Sequence, residues 1–124
     1  MSTAAKESIA LGSHQFLDAF ALAYHRSVAE LLCVTPEPIL QHARKNLTAW
    51  IARGQMSAGA MLSLREWQKL LDESTVPQLI SSIIDESDEG QRLRQSSPFA
   101  GTLTAEERLE ILAECEKGAS SQTG

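Results

Sequence analysis

Apolar residues recur at intervals of three and four along almost the whole chain, and nowhere does an alternating run of Val, Ile, Thr or aromatic residues appear. An α-helix repeats about every 3.6 residues and a strand every two, so this periodicity admits helices and argues against a sheet. The expectation is an all-α protein, a compact single-domain bundle of about five or six helices. Its first stripe stacks Phe16, Phe20, Tyr24 and Val28 at four-residue spacing, with Leu17, Leu31 and Leu32 widening the face, so all of these are candidate core residues.

Punctuation divides the periodic pattern into elements. Ser13 stands where an N-cap is needed for a first helix that runs to about Leu32. Thr35 before Pro36 reads as a cap with proline at the first helical position, opening a second helix through Ile39, Leu40, Ala43, Leu47, Trp50 and Ile51 that Gly54 closes. The small-residue stretch GQMSAGAM (54–61) reads as a loop with at most a short helical turn, and a third helix carries Leu64, Trp67, Leu70 and Leu71. Ser74, Thr75 and Pro77 open a short fourth helix with Leu79, Ile80, Ile83 and Ile84. Ser87, Asp88 and Glu89 open a fifth that reaches Leu93 and stops near Pro98. Thr104 and Glu107 have the spacing of a capping box for a last helix carrying Leu109, Ile111, Leu112 and Cys115 and closed by Gly118. Residues 13–118 then form the domain, between a flexible N-terminus (1–12) and a disordered tail (119–124).

Charge ranks the kinds of partner. The chain carries a net −5, but through Leu71 there are 7 basic against 5 acidic residues and from Asp72 onward 4 against 11. The halves therefore carry +2 and −7, and the C-terminal half repels nucleic acid and attracts basic surfaces. The longest apolar-leaning stretch, Phe16 to Val34, is interrupted by Asp18, His25, Arg26 and Glu30, which disqualifies it as a membrane span. MSTAAKES has no apolar core of a secretory signal, so the expected compartment is the cytoplasm. Cys33 and Cys115 are far apart and each falls in a helical apolar pattern, which is the placement of buried, reduced thiols.

No assembled catalytic motif is legible. His14, His25 and His42 are separated by 11 and 17 residues and neither cysteine belongs to a C-x-x-C, so zinc spacing is missing. H-E-x-x-H, G-x-S-x-G, a Walker loop and G-x-G-x-x-G are missing too. The acidic run Asp85, Glu86, Asp88, Glu89 lacks the order of a calcium loop, because Gly90 comes too late. It suits a helix start, where carboxylates meet the positive end of the dipole. His25, beside the apolar stripe, reads as a partly buried histidine bonded to a carbonyl, with Arg26 facing water. The expectation is a non-enzymatic protein with no cofactor and no metal.

Two binding surfaces suggest themselves. In AELLCVTPEPILQHARK, Ala29, Cys33, Val34 and Ile39 fall on the offsets of a helix-turn-helix, which would make Gln41, Arg44 and Lys45 DNA-binding and the protein a transcription regulator. Against it, Cys33 stands where the turn prefers glycine, and Pro36, Glu37 and Pro38 put no side-chain donor at the helix tip. Two packed helices joined by a short turn explain the same residues.

The second surface is the stretch RLRQSSPFAGTLTAEER (92–108). Pro98 forbids helix at Ser97 and Gly101 gives a second bend, so a loop precedes the last helix. Phe99 in that loop either plugs the core, with Arg92 and Arg94 paired to neighbouring carboxylates, or projects outward as an aromatic anchor flanked by guanidinium groups. Together with HARKNLTAW and LREWQKLL, this stretch resembles a group of small bacterial helical proteins associated with toxin–antitoxin-type gene pairs, over roughly Tyr24 to Leu112. The resemblance implies an antitoxin-like protein that neutralises a companion enzyme by binding it. It carries over no functional residues. From the loop and the charge asymmetry, the candidate partner-binding residues are Arg92, Arg94, Phe99, Glu106, Glu107 and Glu110. The expected partner is a protein with a basic active site, and self-association is open.

Overall fold

The stripe between Phe20 and Leu32 makes one helix the hub on which the others pack. A computed structural model of the protein describes residues 14–123, with side-chain surroundings for 15–118. Among the described residues there are six helices, α1 (His14–Val34), α2 (Pro36–Arg53), α3 (Ala58–Glu73), α4 (Val76–Ile83), α5 (Asp88–Arg94) and α6 (Ala105–Thr123), and no strand. The protein is an all-α bundle. α1 packs against α2, α4, α5 and α6, while α3 packs on α2 and α5 on α4. Tyr24, Val28, Ala29 and Leu32 of α1 meet Ile39, Ala43 and Leu47 of α2, Leu64, Trp67 and Leu71 of α3, and Leu79 and Ile83 of α4 in one core. Each set is spaced by three or four residues, so one stripe per helix is withdrawn from water, at about 1.5–3 kcal/mol for each large side chain.

Local chemistry sets the helix boundaries. Ser57 Oγ accepts from the Ala60 amide at 3.1 Å and starts α3. Thr75 and Gln78 form a reciprocal capping box on α4 (2.9 and 3.3 Å), and Thr104 and Glu107 form another on α6 (2.8 and 3.0 Å). Each satisfies two amides that a helix start leaves without partners, worth about 1 kcal/mol per cap. Ser87 caps α5 through the Gly90 amide at 3.3 Å, and Gly54, in the left-handed conformation at φ 64°, closes α2.

Gly90 is fixed by a close approach. A Cβ built on it would lie 1.9 Å from the Asp85 carbonyl oxygen, which is backbone and cannot swing aside. Gly90→Ala must push the 85–87 turn off α5, and is expected to cost on the order of 2 kcal/mol by urea denaturation. A cost below about 0.5 kcal/mol would show that this turn yields freely.

Several boundaries and burials depart from the sequence reading. Ser13 and residues 1–12 lie outside the described residues. Thr35 makes no side-chain cap; its amide instead continues the α1 ladder to the Leu31 carbonyl at 2.7 Å, and Pro36 alone breaks the run. Helix α3 begins at Ala58, inside the expected loop, because Ser57 supplies the cap. Helix α6 passes through Gly118 to Thr123, so the chain stays helical where a terminator and a disordered tail were expected. Gly118 does not take a positive φ, and a glycine within a helix costs only about 1 kcal/mol.

Cys33 is exposed rather than buried, at the corner where one residue separates α1 from α2, while Cys115 is half-buried and burial pushes its thiol up. Leu17 was expected in the core but is 54% exposed, and Leu109, in the apolar pattern of the last helix, is 64% exposed. The reason is length. α1 spans about 31 Å and the 8- and 7-residue helices α4 and α5 only about 10–12 Å, so they cannot cover it, and α6 has only α1 as a substantial helix neighbour.

Candidate functional site

The loop between α5 and α6 is a pinned connector. Its backbone groups cannot pair within a helix, so side chains from distant helices serve them. Asn46 Nδ2 donates to the carbonyls of Pro98 (2.9 Å) and Ala100 (3.0 Å), and His42 Nε2 donates to the same Ala100 oxygen at 2.8 Å. The Tyr24 hydroxyl donates to the Phe99 carbonyl at 3.0 Å and accepts from the Leu103 amide at 3.4 Å. Gly101, at φ 78°, keeps the loop against His42, whose Nε2 would sit 3.2 Å from an added Cβ. Trp67 donates its indole N–H to the Leu93 carbonyl at 2.9 Å. His42 and Asn46 come from HARKNLTAW and Trp67 from LREWQKLL, so the three stretches singled out in the sequence converge on this loop.

Phe99 therefore points inward. It is fully buried, edge-on to Trp67 at 5.9 Å and to His25 at 6.2 Å. Arg94 is buried with it, only 5% exposed, and its Nη1 donates to the carbonyls of Ile83 (3.1 Å) and Asp85 (2.6 Å) at the C-terminal end of α4. A cation there meets the negative end of that helix's dipole. Arg92 is half-buried and engaged by Glu66 and Glu89 at 2.9–3.1 Å. The outward patch of Arg92, Arg94 and Phe99 is thus replaced by an inward one: the ring fills the core and both guanidinium groups bind within the chain. Glu106, Glu107 and Glu110 stay exposed at the start of α6, although Glu107 also serves the capping box.

The α1–α2 corner lacks the geometry of a helix-turn-helix. That motif joins its helices through a turn of three or four residues, whereas here only Thr35 intervenes, and Cys33 is helical with no positive φ. Gln41, Arg44 and Lys45 are exposed on α2, but Arg44 is engaged by the Asp72 carboxylate and by the Leu71 carbonyl at 2.9 Å.

Beside the pinned loop lies a cleft of about 490 Å³ between α1, the loop and the first turn of α6. Phe20, Ala21, Tyr24, Leu103 and Ala105 give it apolar walls, and His25, Ser97, Arg94 and Arg108 its polar ones. His25 sits in this wall with both ring nitrogens engaged: Nδ1 is 2.7 Å from the Ala21 carbonyl and Nε2 2.6 Å from Ser97 Oγ. A carbonyl only accepts, so Nδ1 carries the proton and Nε2 accepts from the Ser97 hydroxyl. Burial lowers the His25 pKa to about 4, with nearby Arg94 acting in the same direction and the Ala21 bond opposing. The ring is neutral at pH 7.

A serine donating to a histidine has the outline of a nucleophile and its base, but these two are placed to hold the loop. Ser97 Oγ also accepts the Phe99 amide at 3.2 Å, and a histidine with so low a pKa is a weak proton acceptor. Sequence reasoning placed His25 on a carbonyl correctly but missed Ser97, His42, Asn46 and Tyr24 as its companions, since their partners lie 52 to 79 residues away. No group of three or more His, Cys, Asp or Glu among the described residues is placed to hold a metal, and no described helix is long and apolar enough to cross a membrane. Comparison with protein-family models, curated proteins and solved structures gave no match.

Proposed function

We propose that the protein is a non-enzymatic binding module that docks a basic protein partner on the outer face of α6 and the adjoining N-terminal half of α1. The observation that carries this is Leu109, 64% exposed on a helix whose main described support is α1, with Glu106, Glu107 and Glu110 around it. An apolar centre inside an acidic rim divides the work: the charges speed encounter with a positive surface and the leucine holds the complex. In its specific form, the module is an antitoxin-like neutraliser, acting in the cytoplasm, that covers the basic active site of a companion enzyme.

The test uses the basic protein that co-purifies stoichiometrically with the tagged chain after nuclease treatment. The capping box uses Thr104 and Glu107, and Glu106 and Glu110 make no side-chain hydrogen bond among the described residues, so Glu106→Lys/Glu110→Lys leaves it intact. This variant should slow association about tenfold or more at low salt, with the difference shrinking at high salt. Leu109→Asp should speed dissociation. An unchanged on-rate at low salt, a stable homodimer built on Leu109, or recovery of a specific DNA fragment in place of a protein would each overturn the reading.

A further inference from the structure

We propose that the cleft between α1, the 95–104 loop and the start of α6 binds a small amphiphilic monocarboxylate, its hydrocarbon body against Phe20, Leu103 and Ala105 and its headgroup drawn by Arg94 and Arg108. This site adjoins the docking face on Leu109, with which it shares the N-terminal half of α1 and the first turn of α6.

Three polar side chains of the wall are already engaged. Tyr24, His25 and Ser97 spend their donors and acceptors on the loop, and His25 adds no charge at pH 7. What remains is positive. Arg94 is 95% buried and no described carboxylate forms an ion pair with it: Asp85 turns its carboxylate to Ser87 and Glu86 turns to Arg26, and these two and Asp18 act on it only at longer range. Its Nη1 serves two carbonyls and its Nε has no partner among the described residues, so the buried charge is held by carbonyl dipoles and by the longer-range field of Asp85, Asp18 and Glu86. Arg108, across the same cleft, has no ion-pair partner among the described residues. In a chain of net charge −5, two guanidinium groups in one apolar cleft, neither in direct contact with a described carboxylate, favour an anion.

The rest of the cleft selects what the anion is attached to. Its volume of about 490 Å³ lies in the range of small-molecule sites, and the majority of its wall residues are apolar. A dianionic phosphate wants more donors than two arginines, and Asp18, Asp85 and Glu86 oppose a second negative charge. A single carboxylate on a chain or ring of about 8–12 carbons satisfies both the wall and the charge.

Octanoate is the probe, with octanol, octylamine and octyl phosphate beside it, in isothermal titration and amide chemical-shift mapping of the whole chain. Octanoate should bind with a dissociation constant on the order of 100 μM. Its shifts should centre on Tyr24, His25, Gly101, Leu103 and Ala105, and octanol and octylamine should bind at least about tenfold more weakly. Removing Arg94 would unsettle the end of α4, so two milder variants carry the test. Ala105→Trp fills the cleft mouth from an exposed position, and Arg108→Glu reverses the rim charge; each should weaken octanoate about tenfold or more without lowering thermal stability. Octanol binding as tightly as octanoate would overturn the anion claim. Octyl phosphate binding more tightly would overturn the choice of carboxylate. No binding, shifts centred on Leu17 and Leu109, or indifference to Ala105→Trp would overturn the site.

Discussion

Phe99→Ala is expected to lower the unfolding free energy by about 4 kcal/mol, the middle of the range for removing a buried aromatic ring. The ring is fully buried, and its neighbours are themselves large and held in place: Trp67 by its bond to the Leu93 carbonyl, His25 by Ala21 and Ser97. Walls fixed in this way relax little, so most of the vacated volume stays as a cavity. The backbone of Phe99 is also bonded on both sides, to Ser97 Oγ and to the Tyr24 hydroxyl, which prevents the loop from sinking to fill the space. A small domain has a total stability of about 5–15 kcal/mol, so the variant should lose from roughly a quarter to most of it. Urea denaturation at 25 °C measures it. Phe99→Leu, which keeps most of the volume, should cost about 1–2 kcal/mol. A loss below about 1 kcal/mol for Phe99→Ala would mean that the ring does not fill the core.

Phe99 also shows where sequence reasoning stops. The helices were legible because their signals are local: a capping box spans four residues, an apolar stripe repeats within one helix, and Gly54 closes α2 from its own position. The direction of Phe99 depends on what arrives from elsewhere, and those groups lie far off in sequence, Trp67 on α3, His25 and Tyr24 on α1, and Asn46 and His42 on α2. No composition rule distinguishes an aromatic that anchors a partner from one that anchors its own loop, and the same flanking arginines serve both. Arg94 proved to be a tie for the end of α4 and Arg92 a bridge to Glu66 on α3.

The helix-turn-helix offsets failed for a related reason. Ala29, Cys33, Val34 and Ile39 satisfy a pattern of residue sizes, but the pattern does not count how many residues leave the helix, and here only Thr35 does. Exposure at the ends was likewise hidden. Leu17 and Leu109 lie in apolar helical patterns, and only the shortness of α4 and α5 reveals that no described helix covers them. Periodicity reports which face of a helix is apolar; whether another helix reaches that face is a matter of lengths and crossings that no local window contains.

The second large effect concerns acid. His25 has an ordinary pKa of 6.5 that burial lowers to about 4 in the folded protein, whereas the unfolded chain keeps the ordinary value. Between these two values the unfolded state binds a proton that the folded state refuses, so stability falls as the pH drops from about 6.5 to about 4 and is unaffected by this group above 6.5. The accumulated loss is about 3 kcal/mol, from about 1.4 kcal/mol for each unit of pKa difference. Ordinary carboxylates titrate mainly below about 4.5, so the upper part of this window belongs to histidine. Protonated His25 would present a second donor to Ser97, in a wall that already holds the charge of Arg94, so the bond between α1 and the loop must be remade at the moment the charge appears. His25→Gln retains a donor for Ala21 and an acceptor for Ser97 without a titratable ring. Urea denaturation at half-unit steps from pH 7 to pH 4.5 should show a declining stability in the wild type and a nearly flat line in the variant. Parallel slopes in the two proteins would assign the acid sensitivity to other groups and leave His25 a ring that accepts its proton without cost to the fold.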